Sequence, residues 1–96
     1  MKESDFQGEL RKEIERRFPG AMVIKNDSGY IQGIPDLSVF YRDKYAMLEV
    51  KRSKNETRRP NQDRYIKKFN EMSFARFVYP ENKEEVLNEL QELFGS

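Results

Sequence analysis

Residues 36–52 read Asp36-Leu37-Ser38-Val39-Phe40-Tyr41-Arg42-Asp43-Lys44-Tyr45-Ala46-Met47-Leu48-Glu49-Val50-Lys51-Arg52. Two β-rich runs, 36–41 and 45–52, flank the polar trio Arg42-Asp43-Lys44, which is the pattern of a hairpin. In the second run Ala46, Leu48 and Val50 fall on one face, and Met47, Glu49 and Lys51 on the other. Glu49 and Lys51 are therefore same-face neighbours about 7 Å apart along the strand. A carboxylate and an ammonium in such a strand are costly to bury unless a metal or ligand balances them. A surface ion pair on a half-exposed strand is the competing reading. Asp36 shifts the balance. Directly opposed residues share a face, so Asp36 joins Glu49 when the numbers of each opposed pair sum to an odd value. A two-residue turn at Asp43-Lys44, pairing Arg42 with Tyr45, meets that condition. Two carboxylates with a backbone carbonyl suit a hard cation such as Mg²⁺ or Mn²⁺. Lys51 beside them would orient a water and offset the charge of a phosphate.

The flanking elements follow from periodicity. Phe6, Leu10, Ile14 and Phe18 recur every fourth residue, so a helix is expected over 4–18. Ser4 is its expected N-cap, and Pro19-Gly20 stops it. Residues 21–25 read as a strand, and Asn26-Asp27-Ser28-Gly29 is turn chemistry. Gly29 and Gly33 read as turn residues, because the GxxxG they form opens no helix. Residues 53–59 form a polar basic loop, with no apolar anchor between Ser53 and Thr57. Pro60 suits the first turn of a second helix, to about residue 72, with Tyr65, Phe69 and Met72 as its apolar stripe. A last strand over 75–79 precedes a third helix over 83–94, with Val86, Leu87, Leu90, Leu93 and Phe94 inward. The order αβββαβα predicts an α/β sandwich around a small mixed sheet.

Composition narrows the chemistry. Ninety-six residues make one domain, residues 1–96, and no apolar run approaches the roughly 20 residues that span a membrane. The N-terminal stretch lacks an apolar signal region, so an intracellular location is expected. With neither Cys nor His in the chain, thiolate and imidazole metal sites and His-based catalysis are excluded. Any catalysis must rest on carboxylates, Lys, Tyr or a metal held by oxygen. The net charge of +1 hides an asymmetry. In residues 51–68 eight Lys and Arg stand against Glu56 and Asp63, a local +6, while residues 81–92 carry five Glu against Lys83, a local −4. That distribution points to an anionic partner on one side of the molecule, or to two solvated helix surfaces.

Pro35-Asp36, a gap of twelve residues, then Glu49-Val50-Lys51 resembles the PD-(D/E)xK nuclease motif. Gly33-Ile34-Pro35-Asp36-Leu37 resembles the G-[IV]-P-D-L signature of the VRR-NUC branch, and Pro60-Asn61-Gln62 its downstream P-x-Q. The similarity extends over residues 3–79 and is greatest to the short, stand-alone VRR-NUC proteins of phages. The resemblance implies a restriction-endonuclease-like αβββαβ core, here with an added C-terminal helix. It also implies a further acid on the first helix. Of Glu3, Glu9 and Glu13, Glu3 falls on the apolar stripe, with Glu13 about 80° and Glu9 about 120° away. Glu3-x-x-Phe6-Gln7 also resembles the branch's E-x-x-[LIF]-Q opening. Acids suit a first helical turn in any case, but both arguments favour Glu3. Gln62, in the first turn of the second helix, is expected to support the site.

The expected function is a Mg²⁺-dependent DNA endonuclease, with Mn²⁺ substituting. Asp36, Glu49 and the Val50 carbonyl are the expected ligands, with Glu3 as a further candidate and Lys51 positioning the nucleophile. Arg52, Lys54, Arg58 and Arg59 are expected to hold DNA phosphates. The resemblance suggests branched DNA such as a Holliday junction, a symmetric homodimer, and a bacterial host cytoplasm if the protein is phage-encoded. The alternative is a non-catalytic nucleic-acid-binding or assembly module that uses residues 51–68.

Overall fold

A computed structural model describes residues 2–95. The chain runs α1 (Glu3–Arg17), β1 (Met22–Lys25), β2 (Leu37–Tyr41), β3 (Lys44–Val50), α2 (Pro60–Met72), β4 (Ala75–Val78), a 3-10 turn (Pro80–Asn82) and α3 (Lys83–Phe94). The expected order holds. Ser4, however, is not the cap. The helix begins one residue earlier, flanked by Lys2, and no side chain caps it. The Lys2 carbonyl accepts the N–H groups of Asp5 and Phe6, and Glu3 and Asp5 place negative charge at the positive end of the helix.

The sheet order is β1-β2-β3-β4. The first three strands are antiparallel, and β4 runs parallel to β3 because α2 carries the chain back across. Tyr41 pairs with Lys44 and Leu37 with Leu48. The tight turn is therefore Arg42-Asp43, one residue earlier than expected. Arg42 takes the left-handed φ of 57°, which a two-residue hairpin turn demands of its first central residue. Arginine carries no sequence signal for that conformation. The parity of the register survives the shift, and one step beyond Leu37 it brings Asp36 opposite Glu49.

One face of the sheet presents Leu37, Val39, Ala46, Leu48, Val50 and Val78 to α1 and α3. Phe6, Leu10, Ile14 and Phe18 of the first helix and its end meet Val86, Leu87, Leu90 and Phe94 of the last. The rings of Phe18 and Phe94 meet edge to face at 5.0 Å. Leu93 is only partly buried against this core. The opposite face presents Met22, Ile24, Ser38, Phe40, Tyr45, Met47, Glu49 and Phe77. There α2 packs over β3 and β4, and Met22, Ile24 and Phe40 stay 62%, 43% and 43% exposed. The expected stripe of α2 is correspondingly half-covered. Tyr65 and Phe69 stack on each other 6.2 Å apart and are half-buried. Met72 is exposed. Among the described residues no helix is long and apolar enough to cross a membrane.

Candidate active site

Asp36 stands where the loop after β1 enters β2, and that loop is held from both sides. The Asn26 N–H donates to the Asp36 carbonyl at 2.7 Å, and the Asn26 side-chain amide donates to the Pro35 carbonyl at 2.9 Å. Asn26 also pairs with the Ser38 hydroxyl. On the other side, Gly33 has φ 90°, and a Cβ placed there would lie 2.4 Å from the Cβ of Asn61. Only glycine lets the loop pass the first turn of α2 in this conformation. The G-I-P-D stretch and the Pro60-Asn61-Gln62 triplet, far apart in sequence, thus touch.

Asp36 and Glu49 interlock across the strands. The Asp36 N–H donates to Glu49 Oε1 at 3.1 Å, and the Val50 N–H donates to Asp36 Oδ2 at 2.9 Å. Glu49 and Lys51 are only 4% and 5% exposed, so they are not a surface ion pair. Gln62 joins them. Its Nε2 donates to Glu49 Oε2 at 2.8 Å, while its Oε1 accepts from Lys51 Nζ at 2.9 Å and from the Arg59 N–H at 3.0 Å. Lys51 Nζ also donates to the Thr57 carbonyl at 3.2 Å. One glutamine therefore caps α2 and orients both ends of the Glu49-Val50-Lys51 triplet. Pro60 at the start of α2 sets the turn that places it.

A pocket of about 1200 Å³ opens over these groups, lined among others by Glu3, Asp36, Glu49, Lys51, Glu56 and Gln62. Glu3 reaches the pocket, Glu9 is exposed, and Glu13 turns away to Lys83 at 3.0 Å. Burial raises the Asp36 carboxyl, against the Val50 N–H and the Lys51 ammonium. Burial first, and the charge of Asp36 second, push Glu49 up to about 8 despite Lys51. Glu3 is raised by burial and by the nearby Glu56 and Asp36 carboxylates. Crowded, buried acids with raised pKa values are a pattern that clusters at functional sites.

The four expected phosphate contacts divide. Arg52 and Arg59 line the pocket. Arg58 instead lies 3.9 Å over the Phe77 ring and 3.5 Å from Asp63. Lys54 is exposed outside the lining. The loop that bears them, expected to lack an apolar anchor, is tied by polar contacts instead. Glu56 Oε1 accepts the Arg52 N–H at 2.7 Å, and the Glu56 N–H donates to the Ser53 carbonyl at 3.2 Å. Sequence reasoning missed Asn26 and Glu56. For Glu56 the one available signal is its isolation as the only acid among the cations of residues 51–59.

The donor chemistry fits a hard divalent cation. Asp36, Glu49 and the Val50 carbonyl offer oxygen alone, and a cation would relieve the two raised carboxyls. Among the described residues no three acidic side chains form a ready-made metal cluster. Glu3 lines the same pocket as Asp36 and Glu49.

No family model and no curated protein matches the chain. A solved structure described as a VRR_NUC domain is 27% identical to it, with a TM-score of 0.64, covering 84% of this chain and 92% of that one. The chain has the α/β, nuclease-like fold of a VRR-NUC domain.

Proposed function

We propose that this protein is a metal-dependent DNA endonuclease that hydrolyses phosphodiester bonds. The observation that carries the reading is the convergence of Asp36, Glu49 and Lys51 in one pocket, with Gln62 tying Lys51 to Glu49. The resemblance of these residues to the PD-(D/E)xK motif and the VRR-NUC fold of the chain support it.

Asp36, Glu49 and the Val50 carbonyl would hold Mg²⁺, with Glu3 as a further ligand and Mn²⁺ as a substitute. The bound ion would supply Lewis-acid polarisation of the phosphate and acidify water. The chain's own groups do the rest. Lys51 carries a positive charge that Gln62 and the Thr57 carbonyl hold in place. It can orient an attacking water and stabilise charge on the phosphate. Gln62 fixes Glu49 and Lys51 relative to each other, so the site needs little rearrangement. Arg52 and Arg59, at the pocket, bind flanking phosphates without reading sequence.

The finer reading follows the stand-alone phage proteins that the sequence resembles. The substrate is branched DNA such as a Holliday junction, and the product carries a 5′-phosphate. Because cutting two strands of a branch takes two sites, the working form is a symmetric homodimer. The test is cleavage of duplex plasmid and of a four-way junction, in Mg²⁺ and in EDTA. Cleavage in Mg²⁺ alone, faster on the junction, is expected. Binding without cleavage in Mg²⁺ and in Mn²⁺ would instead favour a non-catalytic nucleic-acid-binding module.

A further inference from the structure

Glu56 is the one acid in residues 51–59, the stretch that brings Arg52 and Arg59 to the pocket. An acid there repels a polyanion, yet it is held firmly. Its carboxylate spans two cations. Oε1 accepts the Arg52 N–H at 2.7 Å and lies 3.4 Å from Arg52 Nε, while Oε2 lies 3.8 Å from Lys51 Nζ. The Glu56 side chain is 22% exposed and that of Lys51 7%, so solvent screens the pair little. Glu49 is the other carboxylate within 4.0 Å of Lys51, and Asp36 and Glu3, farther off, also feel its charge. Both Glu49 oxygens already accept hydrogen bonds, from the Asp36 N–H and from Gln62. Glu56 thus meets a backbone N–H, a guanidinium and a buried ammonium together. That donor set is the one a phosphate would use.

We propose that Glu56 occupies the place of a substrate phosphate in the free protein, and that a DNA phosphate displaces it from Lys51 and Arg52. The proposal rests on the nuclease reading and deepens it. The buried lysine keeps a counter-ion while the site is empty, and it exchanges that partner for the substrate. A lone inorganic phosphate competes poorly with a tethered carboxylate. A DNA backbone, held at neighbouring phosphates by Arg59, competes well.

The experiment measures affinity of the full chain for a duplex and a four-way junction in EDTA, across a range of salt. Glu56→Gln keeps the side-chain shape and an acceptor for the Arg52 N–H but removes the charge. It should bind about tenfold tighter than wild type at low salt, with a salt slope steeper by about 1 to 2 as Lys51 and Arg52 become free for phosphate. Glu56→Asp, which keeps the charge but shortens its reach, should fall between the two. Glu9→Gln, which removes a charge outside the pocket, should change affinity less than about twofold. Equal or weaker binding by Glu56→Gln overturns the proposal, as does an equal gain from Glu9→Gln. Failure of wild type and every variant to bind either DNA overturns the proposal, and if wild type also cleaves neither DNA in Mg²⁺ the nuclease reading falls with it.

Discussion

Under α1 and α3, Leu10, Ile14, Val39, Ala46, Leu48, Val50, Leu87 and Leu90 are all wholly buried. On the opposite face no residue of α2 is fully buried, and the sheet carries Glu49, Lys51 just beyond it, and the exposed Met22, Ile24 and Phe40. The contrast shows a division of labour within one sheet. Apolar burial on the first face supplies stability. The second face spends some of that stability on a buried charge network at one end and leaves an open apolar surface at the other.

The sharpest way to break the comparison is to remove the charges. Asp36→Ala, Glu49→Ala and Lys51→Ala should each lower cleavage by on the order of 10³-fold or more, while circular dichroism shows a folded chain. Wild-type cleavage by Glu49→Ala in Mg²⁺ would mean that the site lies elsewhere. The converse change is on the apolar face. Leu90→Ala should cost about 3 kcal/mol in urea unfolding, because the side chain is wholly buried in the core.

The pH dependence separates the faces further. Glu49 holds its proton up to about 8 in the folded protein, whereas an unburied glutamate loses it near 4.5. Its contribution is therefore fully present below about 4.5 and is lost as pH rises toward 8. Metal-free protein should lose on the order of 2 kcal/mol between pH 5 and pH 8, with Asp36 and Glu3 acting in the same direction. Mg²⁺ should flatten the curve, and Asp36→Asn should raise the melting temperature at pH 8. A fall for Asp36→Asn would give that carboxylate a structural role. The smallest effect belongs to the open end. Phe40→Ser should change stability by no more than about 0.5 kcal/mol in dilute protein. A larger loss that grows with protein concentration would reveal a partner on that surface.

The first face was legible because burial there follows period and nothing else. Phe6, Leu10, Ile14 and Phe18 announce a stripe, and Ala46, Leu48 and Val50 alternate cleanly. The second face and the pocket were legible where charge broke the pattern, at Glu49 and Lys51, where hairpin parity brought in Asp36, where helix phase singled out Glu3, and where the family resemblance pointed to Gln62. What stayed hidden depends on tertiary contact. Arg42 accepts a left-handed backbone that its residue type does not favour. Asn26 looks like any turn residue until its amide meets the Pro35 carbonyl. Arg58 looks like a phosphate contact until Phe77 is found beneath it. Glu56 looks like dilution of a basic loop until its carboxylate is seen between Arg52 and Lys51.

Gln62 has a consequence for heat. It sits in the opening turn of α2, and helix ends open at lower cost than helix middles. When that turn frays, the Arg59 N–H loses its partner, and Lys51 and Glu49 each lose the Gln62 contact that ties them together in the same event. Warming should therefore disarm the pocket while the layer between α1 and α3 is still intact. The proposed cleavage activity would have a thermal ceiling set by one helical turn, below the temperature at which the chain as a whole comes apart.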